Sequence, residues 1–149
     1  MYATKDEQMT KKHLIVLCLI LVISGCATYA TGPLFRQAPP APDKMGTLYV
    51  FRSKVSLGAS IPTVKINGKP FVNLPAMGYS YAYLSPGVYR LTFENESFKY
   101  FITEIEIKER EELFEEFSEP FSRLREIQKS KAPDLVKDYR YVGPLNTEF

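Results

Sequence analysis

Gly78-Tyr79-Ser80-Tyr81-Ala82-Tyr83-Leu84-Ser85-Pro86-Gly87-Val88-Tyr89-Arg90-Leu91-Thr92-Phe93 holds two runs that alternate with period two about a Ser-Pro-Gly turn. That period places alternate side chains on opposite faces of a strand, so the stretch predicts two strands joined as a hairpin. Upstream, Val64 and Ile66 alternate with polar neighbours before Asn67-Gly68. Asn-Gly supplies the two positive-φ positions of a tight hairpin turn, and residues 70–74 return as its second strand. Residues 47–52, rich in β-branched and aromatic side chains, predict a first strand, followed by a loop over 53–60. Residues 98–107 predict a further one, with Ile105 and Ile107 on one face and Glu104 and Glu106 on the other. Several short strands without intervening helices predict an antiparallel β-sandwich of six to seven strands, or a small barrel, rather than a parallel α/β sheet.

Beyond residue 108 the pattern changes. Leu113, Phe117, Phe121 and Leu124 recur at three- and four-residue steps among charges, which suits an amphipathic helix, although residues 113–117 equally suit a seventh strand. Pro120 forbids one continuous helix, Ser118 suits a cap for a fresh start, and Pro133 opens a short helix over 132–139. The expected organisation is a β-sandwich over 46–117 and a short helical C-terminal region over 118–149.

The amino-terminal segment addresses the chain to a compartment. Residues 14–23 are the only long apolar run, preceded by Lys11, Lys12 and His13. About 20 apolar residues are needed to cross a bilayer as a helix. A basic region, a short apolar stretch and small residues after it instead describe a signal peptide over 1–25. Met1 or Met9 is its initiator, the latter giving a start without Asp6 and Glu7. Its last residues, Ile23-Ser24-Gly25-Cys26, resemble the lipobox of bacterial lipoproteins. That resemblance implies cleavage between Gly25 and Cys26 and attachment of a diacylglyceryl group to the Cys26 sulfur, commonly with a further acyl chain such as palmitate on the new terminus. Two or three chains, at about 0.8 kcal/mol per buried methylene, anchor a protein firmly. Ala27 after the cysteine, rather than Asp, implies an outer-membrane address facing the periplasm, by resemblance to proteobacterial sorting. Residues 26–45, with Pro33, Pro39, Pro40 and Pro42, are expected to be a semi-rigid tether between lipid and domain.

Processing would leave 124 residues with 16 Lys and Arg against 15 Asp and Glu, a balance without the basic footprint of a nucleic-acid binder. Cys18 and His13 leave with the signal peptide and Cys26 is taken by lipid. No disulfide, no Ser-His-Asp or Cys-His constellation and no nitrogen or sulfur ligand for zinc then remains. Neither a phosphate loop nor a dinucleotide fingerprint occurs. In the processed chain Asp would be confined to Asp43, Asp134 and Asp138, which speaks against a carboxylate pair of glycosidase type. The expectation is no enzyme, no metal and no cofactor other than the covalent lipid. Eight glutamates fall within residues 104–119, without the Asp-rich, Gly-turned spacing of a calcium loop, and are read as a solvated face neutralised by Arg123, Arg125, Lys129, Lys131 and Lys137.

Residues 48–52, 64–69 and 84–91, following the proline-rich stretch, resemble a family of small bacterial lipoproteins built on a domain of unknown function. The likeness covers residues 33–107. The Ile-Asn-Gly-Lys and Ser-Pro-Gly elements are also similar to PEGA-type β-sandwich modules, which implies a binding or structural role outside the cytoplasm. After Ile107 the family pattern would supply a Gly-led turn and an aromatic strand, where this chain has residues 108–116. Candidate ligand or partner residues are Tyr79, Tyr81 and Tyr83, on one face of their strand and, since the small Ser80 and Ala82 oppose them, also expected to fill the sandwich core in part, and Arg52, which suits an acidic group or plain solvent. Two functions are expected from these residues: a structural or protein-interaction module partnered by an envelope protein, or a binding module for cell-wall glycan (peptidoglycan) that stacks sugars on the tyrosines.

Overall fold

The computed structural model describes residues 29–54, 60–94, 101–118 and 123–149. The expected signal peptide, the lipobox and Cys26 lie outside the described residues. Two sheets face one another. The first runs in the order β8-β7-β1-β4-β9, formed by Arg123–Glu126, Glu112–Ser118, Gly46–Arg52, Gly78–Leu84 and Arg140–Tyr141. The second runs β3-β2-β5-β6, formed by Lys69–Asn73, Thr63–Ile66, Gly87–Glu94 and Phe101–Ile107. Among the described residues one short helix, α1, spans Ala132–Val136 with Pro133 in its first turn. The fold is mainly β, as the alternating runs predict.

The hairpin at Asn67-Gly68 forms, with φ of 49° and 82° at the two turn residues. Ser85-Pro86 does not make the expected hairpin. Proline is locked at negative φ and cannot supply a type I′ turn, and the chain crosses there from one sheet to the other. Burial explains the separation. Residues of β4 are wholly or half buried on both faces, whereas in β5 the first four residues are exposed or half-exposed. β4 accordingly pairs with β1, which is buried along its entire length, and β5 pairs with β2 and β6.

Both strands of the β1–β7 pair run parallel, as do β4 and β9, so the first sheet is mixed rather than purely antiparallel. Residues 112–118 form a strand, not a helix, and β8 rather than a helix pairs with it. The ambiguity had a physical source, because a four-residue step from Leu113 to Phe117 keeps both side chains on one face of a helix and of a strand alike. Phe114, turned to the opposite face and also buried, belongs to a strand covered on both sides. Arg110, at φ 59°, takes the left-handed position of the turn before β7 that a glycine would fill. The described residues of 118–149 therefore hold a strand, a helix of five residues and a two-residue strand instead of a mainly helical region.

Leu48, Val50, Ile66, Phe71, Leu84, Leu91, Phe93, Ile107 and Phe117 belong to the core between the sheets. Glu115 points the same way as Val50, its register partner, and is 6% exposed. Burial, with Glu126 across the β7–β8 pair, pushes its carboxyl up to about 7. The folded chain thus holds a proton that the unfolded chain releases near the ordinary carboxylate range. Stability from this site is complete below that range and is lost as pH rises through about 7. Glu115→Gln should raise stability by on the order of 1–2 kcal/mol at pH 8.5 and leave it nearly unchanged at pH 5. Thermal melts at both values check this, and an equal shift at the two pH values would contradict it.

Candidate functional site

The outer face of the first sheet carries an aromatic layer. Alternation in β1 turns Tyr49 and Phe51 outward as it turns Leu48 and Val50 inward, and the register sets Tyr49 between Phe114 and Tyr81, and Phe51 between Glu116 and Tyr79. Tyr49 stacks on Phe114 with ring centroids 4.5 Å apart, and Phe51 lies 5.7 Å from Tyr79 and edge-on to Tyr139 at 5.3 Å. Ala132 and Val136 of α1 cover one part of this layer.

Residues 29–42 cover another part. Ala30 donates to the Ala76 carbonyl at 2.9 Å, Tyr141 donates to the Pro33 carbonyl at 2.8 Å, and the Arg140 guanidinium reaches the Gly32 carbonyl at 2.9 Å. Phe35 sits 5.0 Å from Tyr79. The Tyr79 hydroxyl accepts from the Arg36 amide at 3.1 Å and donates to its carbonyl at 3.2 Å. The Tyr49 hydroxyl accepts from the Ala38 amide at 2.9 Å, and the Tyr83 hydroxyl donates to the Pro39 carbonyl at 2.8 Å. Proline explains why side chains do this work: a segment with few amide donors cannot pair as a regular strand. Gly32 is required by close approach, since a Cβ there would stand 2.0 Å from the Tyr141 carbonyl oxygen. The expected spacer over 26–45 is, from residue 29 onward, a strap bound along the sheet. Burial raises the phenol of Tyr49 to about 12, and those of Tyr79, Tyr83 and Tyr141 also rise through burial, so these hydroxyls stay protonated well above neutral pH.

No family model matches the chain, and no curated protein matches it.

The candidate residues divide. Tyr79 is buried, while Tyr81 and Tyr83 are half-buried, 5.6 Å apart, with Tyr141 at 5.8 Å from Tyr81. The tyrosines do not fill the space between the sheets; Ser80 and Ala82 face that side. Arg52 lies on the opposite face of the sheet from the tyrosines and is neither a surface charge nor a clamp open to solvent. It is 0% exposed and donates to the carbonyls of Leu74 at 3.1 Å and Ser60 at 2.9 Å.

The glutamate run is not one solvated face. Glu104 and Glu106 are exposed on β6, but Glu116 is 8% exposed and takes hydrogen bonds from Tyr139 and, at 2.6 Å, Arg125. Burial and that bond to Glu116 hold the Tyr139 phenol well above its ordinary range. Glu112 pairs with Lys129 at 2.6 Å and accepts from Gln37 at 2.7 Å. Burial alone would raise its carboxyl, but those partners hold it below the ordinary value. The basic segment does neutralise the acidic one at these two points. Sequence reasoning missed the strap and the Arg125–Glu116–Tyr139 cluster. The signal for the covered face was the unbroken run Leu48-Tyr49-Val50-Phe51, which lacks the polar alternation of a half-exposed strand.

The second sheet presents a different face. Arg90 and Glu104 lie 3.9 Å apart across β5 and β6, Lys65 pairs with Glu94 at 2.5 Å, and Val88 and Ile102 stand 64% and 54% exposed among them. Val88, Arg90, Glu94, Ile102 and Glu104 line a shallow groove of about 560 Å³. A second groove, of about 640 Å³, separates the strap from the turn before β7 and is lined by Gln37, Asp43, Arg110 and Glu112 among others. Among the described residues no group of three or more His, Cys, Asp or Glu gathers to hold a metal ion, and no helix is long and apolar enough to cross a membrane.

Proposed function

We propose that this chain is a lipid-anchored bacterial envelope protein, held through acyl chains on Cys26 and facing the periplasm from the outer membrane, whose β-sandwich serves as a non-catalytic structural or protein-interaction module. The observation that supports the module reading is the unequal cover of the two sheets. The Tyr79 and Tyr83 hydroxyls, two of the three candidate ligand groups, are bonded to the chain's own backbone, while the outer face of β5 and β6 carries exposed Val88 and Ile102 between paired opposite charges. Apolar side chains within a polar surround suit a protein contact.

A photoreactive residue placed at Val88 in the full chain should capture one recurrent envelope protein in intact cells, and the product should disappear in an Ile102→Asp variant. The same residue at Leu135, 53% exposed on α1, serves as the comparison. Identical capture from both positions, or none from Val88, overturns the interaction reading. Cys26→Ala should leave the precursor uncleaved and without lipid. The second reading, a peptidoglycan-binding module, rests on the half-buried cluster of Tyr81, Tyr83 and Tyr141. It requires retention of the full chain on purified peptidoglycan that weakens with Tyr81→Ala.

A further inference from the structure

The strap fixes where the chain leaves the domain, and with the lipid reading above, on which this inference rests, it sets how the domain meets the membrane. Residues 29–42 follow the direction of β4. Tyr29 bridges Ala76, just before β4 begins, and Pro39 is held by Tyr83 near its end. The chain then turns into β1 at Gly46, the register partner of Leu84. The strap therefore spans the sheet and delivers Tyr29 to the end farthest from Gly46, where β1 finishes at Arg52 and β4 starts at Gly78.

Chain length makes this decisive. A free tether from Cys26 to Gly46 contains 20 steps and could reach roughly 65 Å at about 3.3 Å per residue. With the strap docked, only Ala27 and Thr28 separate Cys26 from Tyr29, a reach of about 10 Å. The sandwich is itself about 20 Å long, taking β4 as seven residues at roughly 3.3 Å each. The end that carries Tyr29 must then rest at the lipid headgroups, and an upright sandwich holds the other end about 20 Å away from them.

We infer that the end of the sandwich carrying Tyr29, Lys54 and Ile61 is a membrane-contacting surface, against which the strap holds the domain flush with the bilayer. Its side chains suit that neighbour. Ile61 is 44% exposed, and Leu34, level with Gly78 at the margin, is 51% exposed. Lys54 is exposed, and the Glu94 carboxylate at the same end is paired with Lys65. Apolar tips with an added cation are what an anionic lipid surface attracts.

The lipidated protein itself supplies the test. With Cys18 removed and Cys26 acylated, a cysteine introduced by Ile61→Cys or Ser85→Cys is the sole thiol, and Ser85 lies exposed at the opposite end beside Leu84. Each full-chain variant is labelled with a fluorophore and reconstituted in phosphatidylethanolamine and phosphatidylglycerol vesicles containing a headgroup-nitroxide lipid. Quenching at position 61 should exceed that at position 85 several-fold. Inserting about 20 Gly and Ser residues between Ala27 and Thr28 should abolish most of the difference. Equal quenching at the two positions, or indifference to the insert, overturns the orientation. The mass of the amino-terminal peptide separates the two claims. An unacylated Cys26 overturns the lipoprotein reading and the orientation with it, whereas an acylated Cys26 with equal quenching overturns the orientation alone.

Discussion

Phe51→Ala should destabilise the protein by about 3–5 kcal/mol, the range for truncating a fully buried aromatic side chain, and should loosen the strap as well as the core. Phe51 has no exposed surface. Its ring lies 5.9 Å from Phe35 of the strap, 6.3 Å from Tyr49, 6.2 Å from Phe114 and 5.3 Å from Tyr139 of the segment after α1. Removing it opens a cavity where the strap, the sheet and the C-terminal segment meet. Neighbouring rings are held by hydrogen bonds through Tyr49, Tyr79 and Tyr139, so they cannot collapse into the gap without breaking those bonds. Denaturant unfolding should show the lost stability, and amide exchange should show faster exchange at Arg36 and Ala38, whose amides donate to the tyrosine hydroxyls. A loss under about 1 kcal/mol, far below that range, would mean that the aromatic layer repacks freely and does not anchor the strap.

The next largest effect is expected at Arg52. Arg52→Ala should cost about 3–5 kcal/mol, because two hydrogen bonds from a charged group, each contributing roughly 1.5–3 kcal/mol, are lost together with the packing of the side chain. The carbonyls concerned belong to Leu74, between β3 and β4, and to Ser60, ahead of β2. Arg52 therefore ties together the two connections that flank the β2–β3 hairpin at the end of the sandwich. Arg52→Lys should recover only part of the loss, since a single ammonium lacks the planar fork that reaches both oxygens. Chemical unfolding of the two variants checks the order. Full recovery by Lys would show that charge alone, without the fork geometry, serves there.

Much of the fold was written locally. The Asn67-Gly68 turn could be read because two positive-φ residues in sequence admit one kind of hairpin, and Pro133 marked the start of α1 because proline fits the first helical turn. Strand existence followed from period-two alternation. The candidate site was less legible. Tyr79, Tyr81 and Tyr83 were correctly assigned to one face, but the side chains that fill that face come from residues 35–38 and from the segment after β8. Nothing local in Tyr79 names Arg36 as its partner.

Sequence alone thus determined periods, turns, the short helix and the residue types present, together with the lipobox-like motif ahead of the domain, because each depends on neighbours within a few residues. Tertiary structure alone decided that β4 and β5 part into different sheets, that Arg52 is buried, that Glu115 and Glu116 leave solvent, and that a proline-rich stretch becomes a strap. These outcomes depend on which faces find a cover. A face is covered by whatever apolar surface and hydrogen-bond donors the rest of the chain brings to it, and that match is made across tens of residues, beyond the reach of any local pattern.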